Sequence, residues 1–315
     1  MRNARPFLLA LAPLLIGLAA YYIYWRGQAE MLATSIERIV GHAPDITGFP
    51  YRLSADLNAI QLSRGGDATR VDLSAAHSQI DSGPLRGALY VGYLTQIRIN
   101  AEAAGIGQLR LTAPDARASL RANEFIDRLS VQFEEVEIDS SLLDRPIQAA
   151  PMEFHFRETP NPTPADTATG PGQAEARIAG TFSLADRRLA LALPIRITAD
   201  APLSSLAGWT NGGTMEIDGG TLSSASGDAV AGFDVTLVPL PGGELQLAGT
   251  LSTDCPATVA AVIQGSALPA QEFRQRRPAE FALGGSPTQI SLQRLPGPSG
   301  GSVRSQEPPC PDLRR

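Results

Sequence analysis

The sequence predicts a mainly β chain: an N-terminal transmembrane helix followed by an elongated or curved antiparallel sheet, sandwich or groove-like, with one short helix. Three observations predict it. Pro6 to Trp25 are twenty consecutive positions without Asp, Glu, Lys or Arg. Beyond Gly48 the apolar period changes from about 3.6 residues to 2, the change from helix to half-buried strand. Clusters of Gly, Asp, Ser and Pro then interrupt the alternating runs as turns do. These divide the chain into an anchor (1–27), an amphipathic stalk helix (28–47), an extracytoplasmic β domain (48–295) and a Pro/Gly-rich tail (296–315).

At about 1.5 Å per residue, twenty helical residues span about 30 Å, the thickness of a bilayer core. Arg2 and Arg5 precede the run and Arg26 follows it, with Glu30 soon offsetting Arg26. The positive-inside bias then puts the N-terminus in the cytoplasm and the body across a bacterial inner membrane, in the periplasm. Tyr21, Tyr22, Tyr24 and Trp25 fall at the far end, where amphipathic rings prefer the headgroup region. The competing reading is a cleaved signal peptide, for which Gly17-Leu18-Ala19 supplies small residues.

In the stalk, Met31 or Leu32, Ile36, Ile39 and Val40 recur at helical spacing, and Gly41 and Pro44 stop the helix. Strand alternation follows. Leu53, Ala55, Leu57 and Ala59 alternate with polar residues, and so do Leu129, Val131 and Phe133. Val136 and Ile138 resume one residue out of phase, the mark of a bulge. Met152, Phe154 and Phe156 alternate with Glu153 and His155, and the longest run is Leu189, Leu191, Leu193, Ile195 and Ile197. Pro194 inside that run points to an edge strand or a bulge. Gly65-Gly66, Asp218-Gly219-Gly220, Ser226-Gly227-Asp228 and Pro241-Gly242-Gly243 read as turns, making 212–252 a meander of three or four strands. Thr159 to Pro171, rich in Pro, Thr and Ala, reads as a loop that divides two sub-sheets or a simple excursion.

All 26 basic residues are Arg; apart from Arg2, Arg5 and Arg26, which flank the apolar run, 23 of them face 32 acidic residues, a net of −9. Eight acidic residues and no basic one lie between Arg196 and Arg274. Affinity for nucleic acid comes mainly from neutralised phosphates, so no nucleic-acid partner is expected, nor a body lying flat on anionic lipid. His42, His77 and His155 have no metal-ligand spacing, so no metal and no cofactor are expected. Glu134, Glu135, Glu137 and Asp139 read as a solvated face, because adjacent strand residues point to opposite sides. Gly105-Ile106-Gly107 lacks the third glycine of a nucleotide loop, and no Gly-x-Ser-x-Gly elbow occurs. No catalytic residue is proposed, and an enzyme is the third of three functional classes. Cys255 and Cys310, each beside Pro, are read as a disulfide pinning the tail to the body, against free thiols or attachment to another protein.

Short blocks across most of the chain resemble the alphaproteobacterial, membrane-anchored proteins grouped as domain of unknown function 2125. Gly48, Phe49, Pro50, Tyr51 and Arg52 are similar to that family's Gly-aromatic-Pro-aromatic-Arg signature. Ser82-Gly83-Pro84-Leu85, Ala116 to Leu120, Gly232 to Leu237 and Gly243 to Gly249 resemble its other short blocks. The chain departs from that pattern after Tyr93 and around Gly284. The resemblance implies an architecture and a location, with no activity or catalytic residues. The expected function is a membrane-anchored envelope protein that binds or supports, sheltering lipid or another apolar ligand on its sheet. The alternative is an inner-membrane scaffold that takes an envelope protein on an open strand edge. Few helices are available to cover long apolar strand faces, so the sheet curls, pairs with another sheet, or leaves a groove.

Overall fold

The computed structural model describes residues 4–66, 69–85, 88–103, 107–122, 126–141, 145–158, 172–184, 187–198, 212–240, 244–286, 289–296 and 307–314. The expected loop at Thr159–Pro171, the Pro241-Gly242-Gly243 turn and the start of the tail lie outside the described residues. Strand makes up 62% of the chain, in one large antiparallel sheet, with two helices among the described residues.

The sheet is a meander. Helix α1 (Ala4–Val40) leads through β1 (Ile46–Thr47) into a bent hairpin: β2 (Leu53–Leu57) and β3 (Ile60–Gly65) against β5 (His77–Ser82) and β4 (Thr69–Ala75). Both β4 and β5 pair with β6 (Leu89–Ala103), which pairs with β7 (Gly107–Ala122). Next, β8 (Ile126–Phe133) and β9 (Val136–Ser140) together fill the place between β7 and β10 (Ile147–Glu158). From β10 each strand pairs with the next: β11 (Gly172–Leu184), β12 (Arg187–Thr198), β13 (Thr214–Ser224), β14 (Ala229–Pro239), β15 (Leu245–Thr253), β16 (Ala279–Ser286) and β17 (Gln289–Arg294). Since β10 and β11 pair directly, the sheet continues uninterrupted across 159–171.

Anchor and stalk are one continuous helix. It stops where Gly41 turns to φ +86° and its N–H donates to the Glu37 carbonyl at 2.8 Å, a left-handed cap. Trp25, Ala29, Leu32 and Ile36, spaced four, three and four, bury one stripe of α1 against the sheet. Of the alternatives Met31 or Leu32 the stripe takes Leu32, leaving Met31 56% exposed, and Ile39, expected on the stripe, is 55% exposed. Met31 sits about 100° around the helix from Leu32, and Ile39 occupies the last turn at the edge of the buried arc. The apolar run read as a membrane span begins at Pro6, and side chains up to Ala12 lie outside the described residues. Among the described residues no helix is long and apolar enough to cross a membrane.

Two cores result. In the first, the α1 stripe shares one buried cluster with Leu53, Ala55, Leu57, Ile60, Ile97, Phe133, Val136 and Met152, and each large side chain contributes about 1.5–3 kcal/mol. In the second, helix α2 (Pro256–Ile263) places Val259 against Leu189, Val230, Ala231, Leu251, Phe281 and Leu313. Side chains distant in sequence hold α2 at both ends. The Glu272 carboxylate accepts from the Ala257 and Thr258 N–H groups at 2.9 and 2.7 Å, matching the helix's positive end. The buried Arg187 guanidinium donates to the Ala261 carbonyl at 3.0 Å and to the Ser266 carbonyl just beyond the last turn. A Cys255–Cys310 disulfide joins the start of α2 to the tail. The tail, expected to be irregular, returns here: Leu313 is 1% exposed and its carbonyl accepts from Arg188 N–H at 2.7 Å.

Three local expectations resolve. The phase change after Phe133 is a two-residue break at Glu134–Glu135 between β8 and β9, with Phe133 and Val136 both buried; the facing strands keep step across it, so no extra residue and no bulge lies there. Pro194 does not mark an edge, because β12 lies between β11 and β13; the register with β13 slips between Ala192 and Ile195. Asp218-Gly219-Gly220 is not a turn between strands but a bulge within β13. Gly219 takes φ +72°, and a Cβ on Gly220 would lie 2.4 Å from the Phe233 ring, so glycine lets the ring lie flat on the strand.

Replacing Cys255 and Cys310 together by Ala should cost up to about 4 kcal/mol in the chain-entropy model, for a sequence separation of 55. Hydrogen exchange should then rise in α2 and at 307–313 and stay unchanged in β2 to β9. Equal loss of protection in both regions would mean that the two cores open as one unit.

Candidate functional site

Two features of the described residues stand apart from ordinary core: the junction where α1 joins the sheet, and an apolar band between the cores.

The junction is built on Gly48–Arg52. Gly48 takes φ +98°, and a Cβ there would meet Arg52 Cγ at 2.6 Å and the Arg52 carbonyl at 2.8 Å. The tight loop, closed by the Arg52 N–H on the Gly48 carbonyl at 3.0 Å, therefore requires glycine. It presents Phe49 to the helix, edge-on to Tyr22 and Trp25 with ring centroids 5.3 and 5.5 Å away, and 6.0 Å from Tyr21. It also presents carbonyls: Tyr21 Oη donates to Pro50 O at 2.6 Å and Trp25 Nε1 to Arg52 O at 3.1 Å, while Tyr24 Oη donates to Pro84 O, on the loop after β5, at 2.9 Å. Behind the loop, the Arg52 guanidinium lies 3.8 Å from Asp81, which also accepts from Ser54 Oγ and Gln79 Nε2 at 2.6 and 3.1 Å. The polar tips of three aromatic residues, expected to point at lipid headgroups, are thus bonded to the body.

The second feature follows from the registers. Directly opposed residues share a face. One row runs Leu53, Ser82, Tyr90, Leu120, Leu129, Phe156, Ala176, Ile195, Ile217, Val235, Gly249, Leu283 and Leu292. It begins on buried Leu53, just after the junction loop. A second row joins the two cores through Phe133, Met152, Gly180, Leu191, Leu222 and Ala231. Both cores therefore lie on one face. Between them Phe154, Phe156, Ile178, Leu191, Leu193, Ile195, Ile197 and Ile217 are half-buried and belong to neither core. Helix α2 hangs from the end of β15 and packs near Leu189, while the cluster that contains the α1 stripe extends as far as Met152.

The opposite face is polar. A depression of about 680 Å³ there is lined by His155, Arg157, Arg177 and Arg196 with Glu175 and Glu216. Its groups pair locally: Arg157 with Glu175 at 2.8 Å, and His155 with Ser130 at 2.9 Å and Glu153 at 3.5 Å. His77 lies 3.4 Å from Asp56, distant from His155 in the sheet. Hydrogen bonds from Ser63 and Arg70 hold the exposed Asp72 carboxyl below its usual range. Among the described residues no three His, Cys, Asp or Glu side chains gather in metal-binding geometry. No family model, curated protein or solved structure matches the chain.

Sequence reasoning reached Cys255 and Cys310, Gly48–Arg52 and the Leu189–Ile197 run, and the structure places them at three separate points. It missed that the aromatic cluster of α1 and the Gly48–Arg52 loop are partners. A proline-flanked aromatic pair next to a glycine was the available signal, and a membrane belt explained the helix aromatics without it. Gly48→Ala should destabilise the protein by about 1–3 kcal/mol, from left-handed strain plus the Arg52 clash. Gly41→Ala, where a Cβ meets nothing within 4 Å, isolates the strain alone and should cost less in the same denaturant titration. Equal costs would show that the Arg52 contact contributes nothing.

Proposed function

We propose that this chain is a membrane-anchored protein of the bacterial envelope whose periplasmic sheet shelters an acyl chain or a similar apolar ligand. The observation that carries the reading is the half-buried band from Phe154 to Ile217, which belongs to neither packed core. An apolar face of this extent, with no described element packed over it, fits a ligand with a long alkyl portion and few polar contacts. The row from Ile195 back to Leu53 puts that band on the same sheet face as the first core, which holds the α1 stripe. Anchorage is supported by the uncharged run Pro6–Trp25, its flanking Arg residues and the high exposure of Leu14, Ile16 and Ile23. The resemblance to domain of unknown function 2125 agrees with this location.

The test is Leu191→Glu in a chain begun at Ala20, which keeps every α1 residue that touches the sheet; a cut at 27/28 would remove Trp25. A side chain at the mouth of a groove can carry its carboxylate to water, so the melting temperature should fall modestly while co-purified lipid is lost. Leu57→Glu, in a site 2% exposed, buries an unpaired charge and should unfold the first core. If Leu191→Glu collapses the fold and the unaltered chain carries no lipid, the strand is ordinary core and the lipid reading is wrong.

A further inference from the structure

Near the junction, two large side chains point away from the protein: Tyr51 is 87% exposed and Leu85 is 75% exposed. Both sit on loops that hold α1. Tyr51 follows Pro50, the acceptor of Tyr21, and Leu85 follows Pro84, the acceptor of Tyr24. They are therefore fixed beside the same stretch of helix, one turn beyond which Leu18 and Ile16 are 54% and 68% exposed. Tyr22, on the junction itself, is 46% exposed although its ring packs on Phe49. Exposed apolar surface thus continues from α1 onto the end of the sheet.

From this continuity we infer that the junction end of the body rests directly on the bilayer, with Tyr51 and Leu85 in the interfacial region beside α1. This rests on the anchor reading above. An aromatic ring with a polar tip and a branched aliphatic chain suit the headgroup–acyl boundary. The contact is small and at one end of the strands, which reconciles it with a net charge of −9 that disfavours a flat body on anionic lipid. No break in α1 separates the exposed segment from the buried stripe, so the helix and the three hydrogen bonds of the junction hold the sheet at a fixed height.

The full chain carrying Leu85→Cys, labelled with a nitroxide, tests this; both native cysteines are in the disulfide and do not react. It is reconstituted in phosphatidylcholine vesicles with a minority of phosphatidylglycerol, and label accessibility to oxygen and to a water-soluble nickel chelate is measured. The label at 85 should favour oxygen over the chelate at least severalfold more than a label at Ala225→Cys, in the exposed turn at the other end of the strands. Tyr51→Cys should behave like 85. Equal chelate access at 85, 51 and 225 in protein that floats with the vesicles overturns the docking and leaves the anchor intact. Protein that does not float overturns both.

Discussion

One constraint organises this molecule: a sheet of 17 strands has far more apolar face than its two described helices can cover. Strands lie about 4.8 Å apart and a helix is about 10–12 Å wide, so on a flat sheet α1 would cover two or three strands. Its stripe nevertheless shares one buried cluster with residues from β2 to β10, more strands than the helix alone covers. Helix α2 covers the far end near β14 to β16, and the strands between are left half-buried on the same face.

The junction determines how α1 sits on the sheet. Were α1 joined to the sheet by apolar contacts alone, its rotation and depth would be loosely set. Instead, directional hydrogen bonds from Tyr21, Tyr24 and Trp25 to carbonyls of two loops fix both, and Gly48 allows the tight turn that presents the Pro50 and Arg52 carbonyls. The second core uses the same logic at the other end, where Glu272, Arg187 and the disulfide fix an eight-residue helix too short to be stable alone. In both places polar or covalent links position a helix, and apolar burial supplies most of the stability.

The strands were legible because alternation is a local signal: Leu53, Ala55 and Leu57, or Phe133 followed by Val136, show their buried face in the sequence alone. The cysteine pair was legible from its number, two, and from its proline neighbours. Gly219-Gly220 was misread as a turn because the ring that requires those glycines, Phe233, belongs to the next strand. Pro194 was compatible with an edge because local sequence does not tell which neighbours a strand acquires. The capping of α2 by Glu272 and Arg187 joins residues 14 to 79 positions apart, and no short-range pattern announces such a pair. The band itself was visible as apolar strand faces, but its position between two cores depends on the whole meander.

The central claim, that the band holds an alkyl chain, is tested most directly by placing the photo-cross-linking residue benzoylphenylalanine at Ile195 in the full chain and irradiating it in native membranes. His155, which points to the polar face of β10, serves as the control position. The account predicts lipid adducts by mass spectrometry at 195 and none at 155. A cross-link from 195 to the chain itself, without lipid adducts, would contradict it, because the band would then be covered by its own protein.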